Sequence, residues 1–223
     1  MNHLAQLLSL IQHALRVELR NKHGIAGLVV FAVAAVYACY QATGTRAELE
    51  SWNALTWVVL LFTAFNAVSK PWADDAPEMR SVLLHTVPPR IWILARIAYY
   101  SLLLSGVGLV VFAAFTLFLG IEHFTGWDAL HFGLGIEATC LSLAALLAMI
   151  QALAVRAGGG FSLIAVLGLP LIIPVLLVST RYGTDILKGI SFLDTAHHLL
   201  FLATLTGGFI ALGYILFPYL WRD

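Results

Sequence analysis

The chain has 223 residues, 61% of them hydrophobic and 11% charged, with a mean hydropathy of +0.90. A soluble domain is about half apolar and about a quarter charged, so no globular core would hide this much apolar surface and the bilayer must act as solvent. Twelve basic and twelve acidic residues leave no net charge, which excludes a global basic field for nucleic acid.

The first element, over residues 1–23, is amphipathic. Leu4, Leu7, Leu8, Ile11, Leu15 and Leu19 recur at helical spacing, with Gln12, His13, Arg16 and Arg20 on the other side. Such a helix lies in the membrane interface, its basic residues near anionic headgroups, as an anchor or as an elbow that clasps the bundle. Six apolar runs follow, near 24–42, 54–68, 97–119, 129–155, 161–180 and 196–218. A spanning helix needs about 20 mostly apolar residues. The second run is short and is expected to extend through Trp52 or into Ser69. Each must be helical, because an open strand leaves unpaired backbone groups in hydrocarbon. The expectation is one all-α membrane domain over 1–223 with six transmembrane helices.

Between the second and third runs lies a polar island, residues 70–90, reading KPWADDAPEMRSVLLHTVPPR. Asp75-Ala76-Pro77-Glu78 forms a capping box, with Asp75 accepting from the backbone at Glu78 and Glu78 reaching back. Pro77 is tolerated in the first turn. Met79, Val82, Leu83 and Thr86 then share one face, and Pro88-Pro89 stops the helix. This is a short surface helix, too short to span. Two readings stand: a helix resting on the membrane, or a coupling helix, with Asp74 and Arg80 beside it, that plugs into a cytoplasmic ATPase.

Orientation follows from the flanking basic residues. With the N-terminus in the cytoplasm, inside segments hold Arg16, Arg20, Lys22, Lys70, Arg80, Arg90, Arg96, Arg156 and Arg222, and outside segments hold only Arg46, Arg181 and Lys188. Both termini and the island are therefore cytoplasmic.

Polar and helix-breaking residues within the later runs are the remaining candidates. Glu137 sits roughly 12 Å below the outer end of the fourth span, as a packing residue or as the lining of an outer vestibule. Pro170 and Pro174, after Gly168, disrupt the fifth span as a kink, a hinge or the start of a re-entrant piece. His197 and His198 open the last span. Neutral imidazole ligates haem iron, but adjacent helical positions point about 100° apart, so one iron shared by both is disfavoured and interfacial anchoring is the plainer role. His123 and His131 are weaker candidates. Trp52, Trp57, Trp127 and Trp221 fit interfacial belts. Cys39 and Cys140 form no CxxC pattern and read as buried structural thiols.

No lysine follows a glycine-rich P-loop pattern, and neither HExxH nor GxSxG occurs. The chain is expected not to be an enzyme. If it uses ATP, another subunit supplies the ATPase.

Two stretches carry a resemblance. Residues 65–100, FNAVSKPWADDAPEMRSVLLHTVPPRIWILARIAYY, and residues 156–177, RAGGGFSLIAVLGLPLIIPVLL, resemble the CcmB family, the haem exporter protein B of bacterial cytochrome c maturation. The second is the more specific. In the first, Asp74 or Asp75 fills the family's aspartate, and Pro77-Glu78-Met79 stands where the family has a glycine. The resemblance implies a six-span permease of the ABC-2 type in the bacterial inner (cytoplasmic) membrane. It implies a CcmA-type ATPase as partner, association with CcmC and CcmD, and ATP hydrolysis coupled to delivery of haem to the periplasmic chaperone CcmE or to release of the haem-loaded chaperone. It also implies a homodimer, because one six-span half cannot embrace an ATPase pair. Haem is then a handled or transported ligand, and no cofactor is resident. An ABC-2 exporter of another substrate and a non-transporting membrane scaffold share the same spans.

The basic bias generates a test. In a variant without Cys39 and Cys140, a single cysteine at Ser81 should react in intact cells with a membrane-permeant thiol reagent and not with an impermeant one. Labelling by the impermeant reagent would reverse the orientation.

Overall fold

The computed structural model describes residues 3–20, 22–44, 48–69, 88–120, 124, 127–156 and 161–221. They form seven helices: α1 His3–Arg20, α2 Lys22–Thr43, α3 Leu49–Ser69, α4 Pro89–Leu119, α5 Asp128–Arg156, α6 Phe161–Leu187 and α7 Phe192–Trp221. No strand occurs among the described residues. Helices α2 to α7 are each long and apolar enough to cross a membrane. In hydrocarbon a helix satisfies its own backbone, which is why apolar runs of this length fold this way.

Three boundaries differ most from those read off hydropathy. Helix α3 begins at Leu49 rather than 54, and runs through Trp52 at one end and to Ser69 at the other. Helix α4 begins at Pro89 rather than 97. Pro88-Pro89, read as a stop for the preceding helix, therefore starts the next one. Proline suits the first helical position, where its missing N–H costs nothing. Helix α6 continues to Leu187 because Tyr182, Ile186 and Leu187 are buried and keep the polar final turns against the bundle. It then ends in a Schellman motif. Gly189, at φ +76°, donates to Ile186 O, and Ile190 donates to Asp185 O. Both prolines, Pro170 and Pro174, lie inside α6, which runs unbroken through them, so the re-entrant alternative is not what forms.

Helix α5 is the axis. It packs against α3, α4, α6 and α7, and Leu143 to Ala148 are fully buried. Three alanines in that stretch, Ala144, Ala145 and Ala148, let neighbouring backbones approach, as small residues do where lipid supplies no hydrophobic driving force. Helices α2 and α7 lie at the rim, with most side chains facing outward. The amphipathic α1 packs along α4 and α2. Its Leu7, Ile11, Ala14 and Leu15 are half-buried, whereas Gln12, His13 and Arg16 are exposed. Leu8, expected on the apolar face, is exposed. The side chains of Leu4 and Leu19 lie outside the described residues.

Consecutive long helices reverse direction. Contacts between α3, α4 and α5 near Val68, Arg96 and Gln151 mark one end of the bundle, and contacts between α3 and α6 near Asn53 and Thr184 mark the other. The chain leaves α3 at Ser69 and re-enters α4 at Pro89, so the helix ends that flank the island belong to the first of these ends. Arg96, counted among flanking charges, is buried within α4.

At the opposite end, Trp52 and Trp57 are buried rather than interfacial. Trp52 packs edge-on against Phe115, Phe124 and Phe132. The Trp57 indole donates to Asn53 Oδ1 at 2.7 Å. Asn53 in turn donates to Thr180 O at 2.8 Å and to Thr184 Oγ1 at 2.9 Å. Trp127 is exposed, as an interfacial tryptophan should be. The side chain of Trp221 lies outside the described residues. Cys140 is buried and Cys39 half-buried, both as free thiols.

Asn53 reaches α6 because residue 183 is glycine. A methyl group there would overlap Asn53 Oδ1 and press on Phe132. Gly183→Ala should therefore break the Asn53 bonds and destabilise the bundle by about 1–2 kcal/mol, net of its better helix propensity. Gly207→Ala, which meets open space, should leave stability unchanged or raise it. Thermal unfolding midpoints in mild detergent would show it. Equal midpoints for the two variants would refute the account of Gly183.

Candidate functional site

The island residues singled out by sequence, Asp74, Asp75, Glu78, Met79, Arg80, Val82 and Leu83, lie outside the described residues. Their two anchorage points do not. Gln151, on the island end of α5, donates through Nε2 to Val68 O at 2.8 Å. Val68 is in the last turn of α3, where a carbonyl has no intrahelical donor and must find another partner. Gln151 Oε1 accepts from Arg96 Nη2 and from the Tyr100 hydroxyl, both at 2.9 Å. Arg96, Tyr100 and Gln151 are 1%, 1% and 3% exposed. One amide thus joins the helix that precedes the island to the helix that follows it.

Aromatic contacts extend the cluster to α7. The Arg96 guanidinium lies 4.7 Å from the Trp92 ring centroid, a cation–π contact, and Trp92 stacks on Phe217 at 5.1 Å. Arg90 lies over Tyr214 at 5.0 Å. Sequence reasoning missed this cluster. The available signal was a lone glutamine inside an otherwise apolar run, since a polar residue at membrane depth is a functional candidate by default.

Farther along α5, two more hydrogen bonds cross between helices. Ser142 Oγ and Thr206 Oγ1 are 2.7 Å apart, joining α5 to α7. Thr139 Oγ1 and Ser179 Oγ are 2.7 Å apart, joining α5 to α6. Each hydroxyl has one proton and can accept as well, so in each pair one hydroxyl donates across to its partner while the other donates to a carbonyl of its own helix.

Glu137 lies about 13 Å along α5 from Asp128 at helical rise. It is half-buried, on a stripe with the exposed Leu130, Leu134 and Leu141. Its Oε1 is shut off from solvent and has no hydrogen-bond partner among the described residues. Pro170 is exposed and Pro174 half-buried, on the opposite side of α5 from that stripe.

The histidines gather where α5, α6 and α7 end. His198 Nε2 is 3.0 Å from Asp185 Oδ2, which ties α7 to α6 across the turn between them. His197 Nδ1 is 2.7 Å from Asp194 O. The two imidazole rings lie 3.9 Å apart, tilted by 41°. Tyr182 donates to His131 O at 2.7 Å, and the His131 ring stacks on Phe192. Each member of the His197–His198 pair thus already engages one ring nitrogen inside the protein. No group of three or more His, Cys, Asp or Glu residues able to hold a metal ion occurs among the described residues. His123 lies outside the described residues.

The family model described as CcmB protein matches residues 5–219. The match includes α1, all six membrane-length helices and the island. No curated protein matches the chain.

Proposed function

The chain belongs to the CcmB family, matched over residues 5–219, and from that premise we propose that its island is the docking point for the ATPase subunit that drives it. The family assignment makes the chain a multi-pass membrane permease of haem handling in cytochrome c maturation, and not itself an enzyme. The finer roles are these. Residues 70–90 form a cytoplasmic coupling element whose helix, from Asp75 to Thr86, presents Met79, Val82 and Leu83 to a CcmA-type ATPase. Asp74, Asp75, Glu78 and Arg80 set its polar rim. Helix α1 is an interfacial elbow. Two copies pair to match an ATPase pair. CcmC, CcmD and the chaperone CcmE are the further partners, and haem is a handled or transported ligand rather than a resident group. Both termini face the cytoplasm.

One observation supports the reading. The island separates two membrane-length helices, α3 and α4, and the last turn of the first and the third turn of the second meet at Gln151. A capped, amphipathic, proline-bounded helix, as its sequence predicts, would be a ready contact there for a soluble subunit. Glu137 on the outward stripe of α5 and the prolines of α6 are then elements of the path beyond the coupling element. The first would line an outer vestibule, and the second would give α6 freedom to bend.

The docking reading is tested by Asp75→Ala combined with Leu83→Asp. The first removes a helix cap worth about 1 kcal/mol. The second places a carboxylate on the contact face, which costs several kcal/mol when it is buried unpaired. Neither position lies in a membrane-length helix, so the protein should accumulate normally. It should lose the co-purifying ATPase and fail in cytochrome c assembly. Undiminished ATPase recovery and normal cytochrome levels would reduce the island to a membrane-surface helix.

A further inference from the structure

We propose that Gln151 is a positioning residue that makes the two ends of the island move as one body with α5, so that a push on the island is delivered to the axis of the bundle. The proposal rests on the docking reading above and adds the residue that transmits what docking produces.

The chemistry of the site selects an amide. Val68 O can only accept, and the Arg96 guanidinium can only donate. A side chain between them must donate on one side and accept on the other. Gln151 does both, with Nε2 to Val68 O at 2.8 Å and Oε1 to Arg96 Nη2 at 2.9 Å. Glutamate would turn a second acceptor toward Val68 O, and leucine would leave that carbonyl without its donor. Tyr100, one turn beyond Arg96 on α4, donates to the same oxygen at 2.9 Å and fixes the amide's orientation.

Position gives the cluster its consequence. Val68 is the penultimate residue of α3, and Arg96 and Tyr100 lie in the third and fourth turns of α4. The whole island departs and returns between partners of a single side chain. All three side chains are buried among apolar neighbours, where a hydrogen bond lost has no water to replace it. The ends of the island therefore cannot separate without breaking buried hydrogen bonds to Gln151. From Gln151 the rigid α5 carries any displacement along about 18 Å to Thr139 at helical rise. Along that length it is bonded to α7 through Ser142–Thr206 and to α6 through Thr139–Ser179. Both outer helices therefore follow it.

The test uses the complete complex in its native membrane. Three quantities are read for each variant: ATPase subunit recovered with the permease, ATP hydrolysed by the membranes, and c-type cytochrome accumulated by the cells. Gln151→Leu keeps the volume and removes all three bonds. It should retain the ATPase and its hydrolysis while cytochrome formed per ATP falls about tenfold, the size of an ordinary coupling free energy. Tyr100→Phe keeps the ring packing and removes one bond. It should fold normally and lower the same ratio about threefold, the worth of one hydrogen bond. An unchanged ratio in both variants with the ATPase still bound overturns the proposal and leaves the docking reading intact. Loss of the ATPase from both marks the amide as a folding element only, and overturns it as well. A native complex that recovers no ATPase overturns the docking reading, and the proposal falls with it. Should Gln151→Leu fail to accumulate, Tyr100→Phe decides.

Discussion

A polar group inside an apolar bundle must find its partner within the protein, and this constraint organises the whole molecule. Lipid tails are as apolar as leucine, so sequestering apolar surface gives helices no reason to prefer one another. Packing and hydrogen bonding decide instead. Helix α5 supplies both. Its alanines admit close neighbours, and its polar side chains, Thr139, Ser142 and Gln151, are each bonded to a different part of the surrounding helices. Together they fix the height of α5 against α3, α4, α6 and α7. Individually such bonds are worth about 0.6 kcal/mol, and their greater value is to specify one register among many of similar packing.

The two ends of the bundle are built differently. The end opposite the island is closed by aromatic packing around Trp52 and by the Asn53 and Tyr182 bonds to neighbouring helices. The His198–Asp185 pair and the Schellman turn hold α6 to α7 there. At the island end, polar and cationic side chains gather: Arg90 on Tyr214, Arg96 on Trp92, and the Gln151 amide between helices. The proposed docking at the island gives this asymmetry a use: an end that receives a push must hold its elements firmly, and the far end must respond as a unit.

Much of the fold was legible in the sequence, because length and hydropathy dictate helices in a bilayer. Six apolar runs became six membrane-length helices, and the amphipathic start became α1. The errors share one cause. Hydropathy treats a polar residue as a flank, whether it faces water or another helix. Arg96 thus displaced the start of α4, and Asn53 shortened α3, although both are buried and bonded inside the bundle. Trp52 and Trp57 were misplaced in the same way, since tryptophan near a helix end signals either an interface or a packed end. Gln151 stood out only as a lone polar residue in an apolar run. Its meaning comes from partners 55 and 83 residues away in sequence, and such a relation is invisible to any local window.

The central claim is that the island's two ends are one mechanical unit. The most direct measurement is a distance across them. Spin labels at Ser69 and Arg90, both exposed, would be placed in a chain whose Cys39 and Cys140 are replaced by alanine. The distance would be measured in the assembled complex without nucleotide and with the ATPase trapped in its ATP-bound state. The account requires one narrow distance that is the same in both states, and a broadened distribution when Gln151 is replaced by leucine. A distance that changes on nucleotide binding in the chain with Gln151 intact would contradict it.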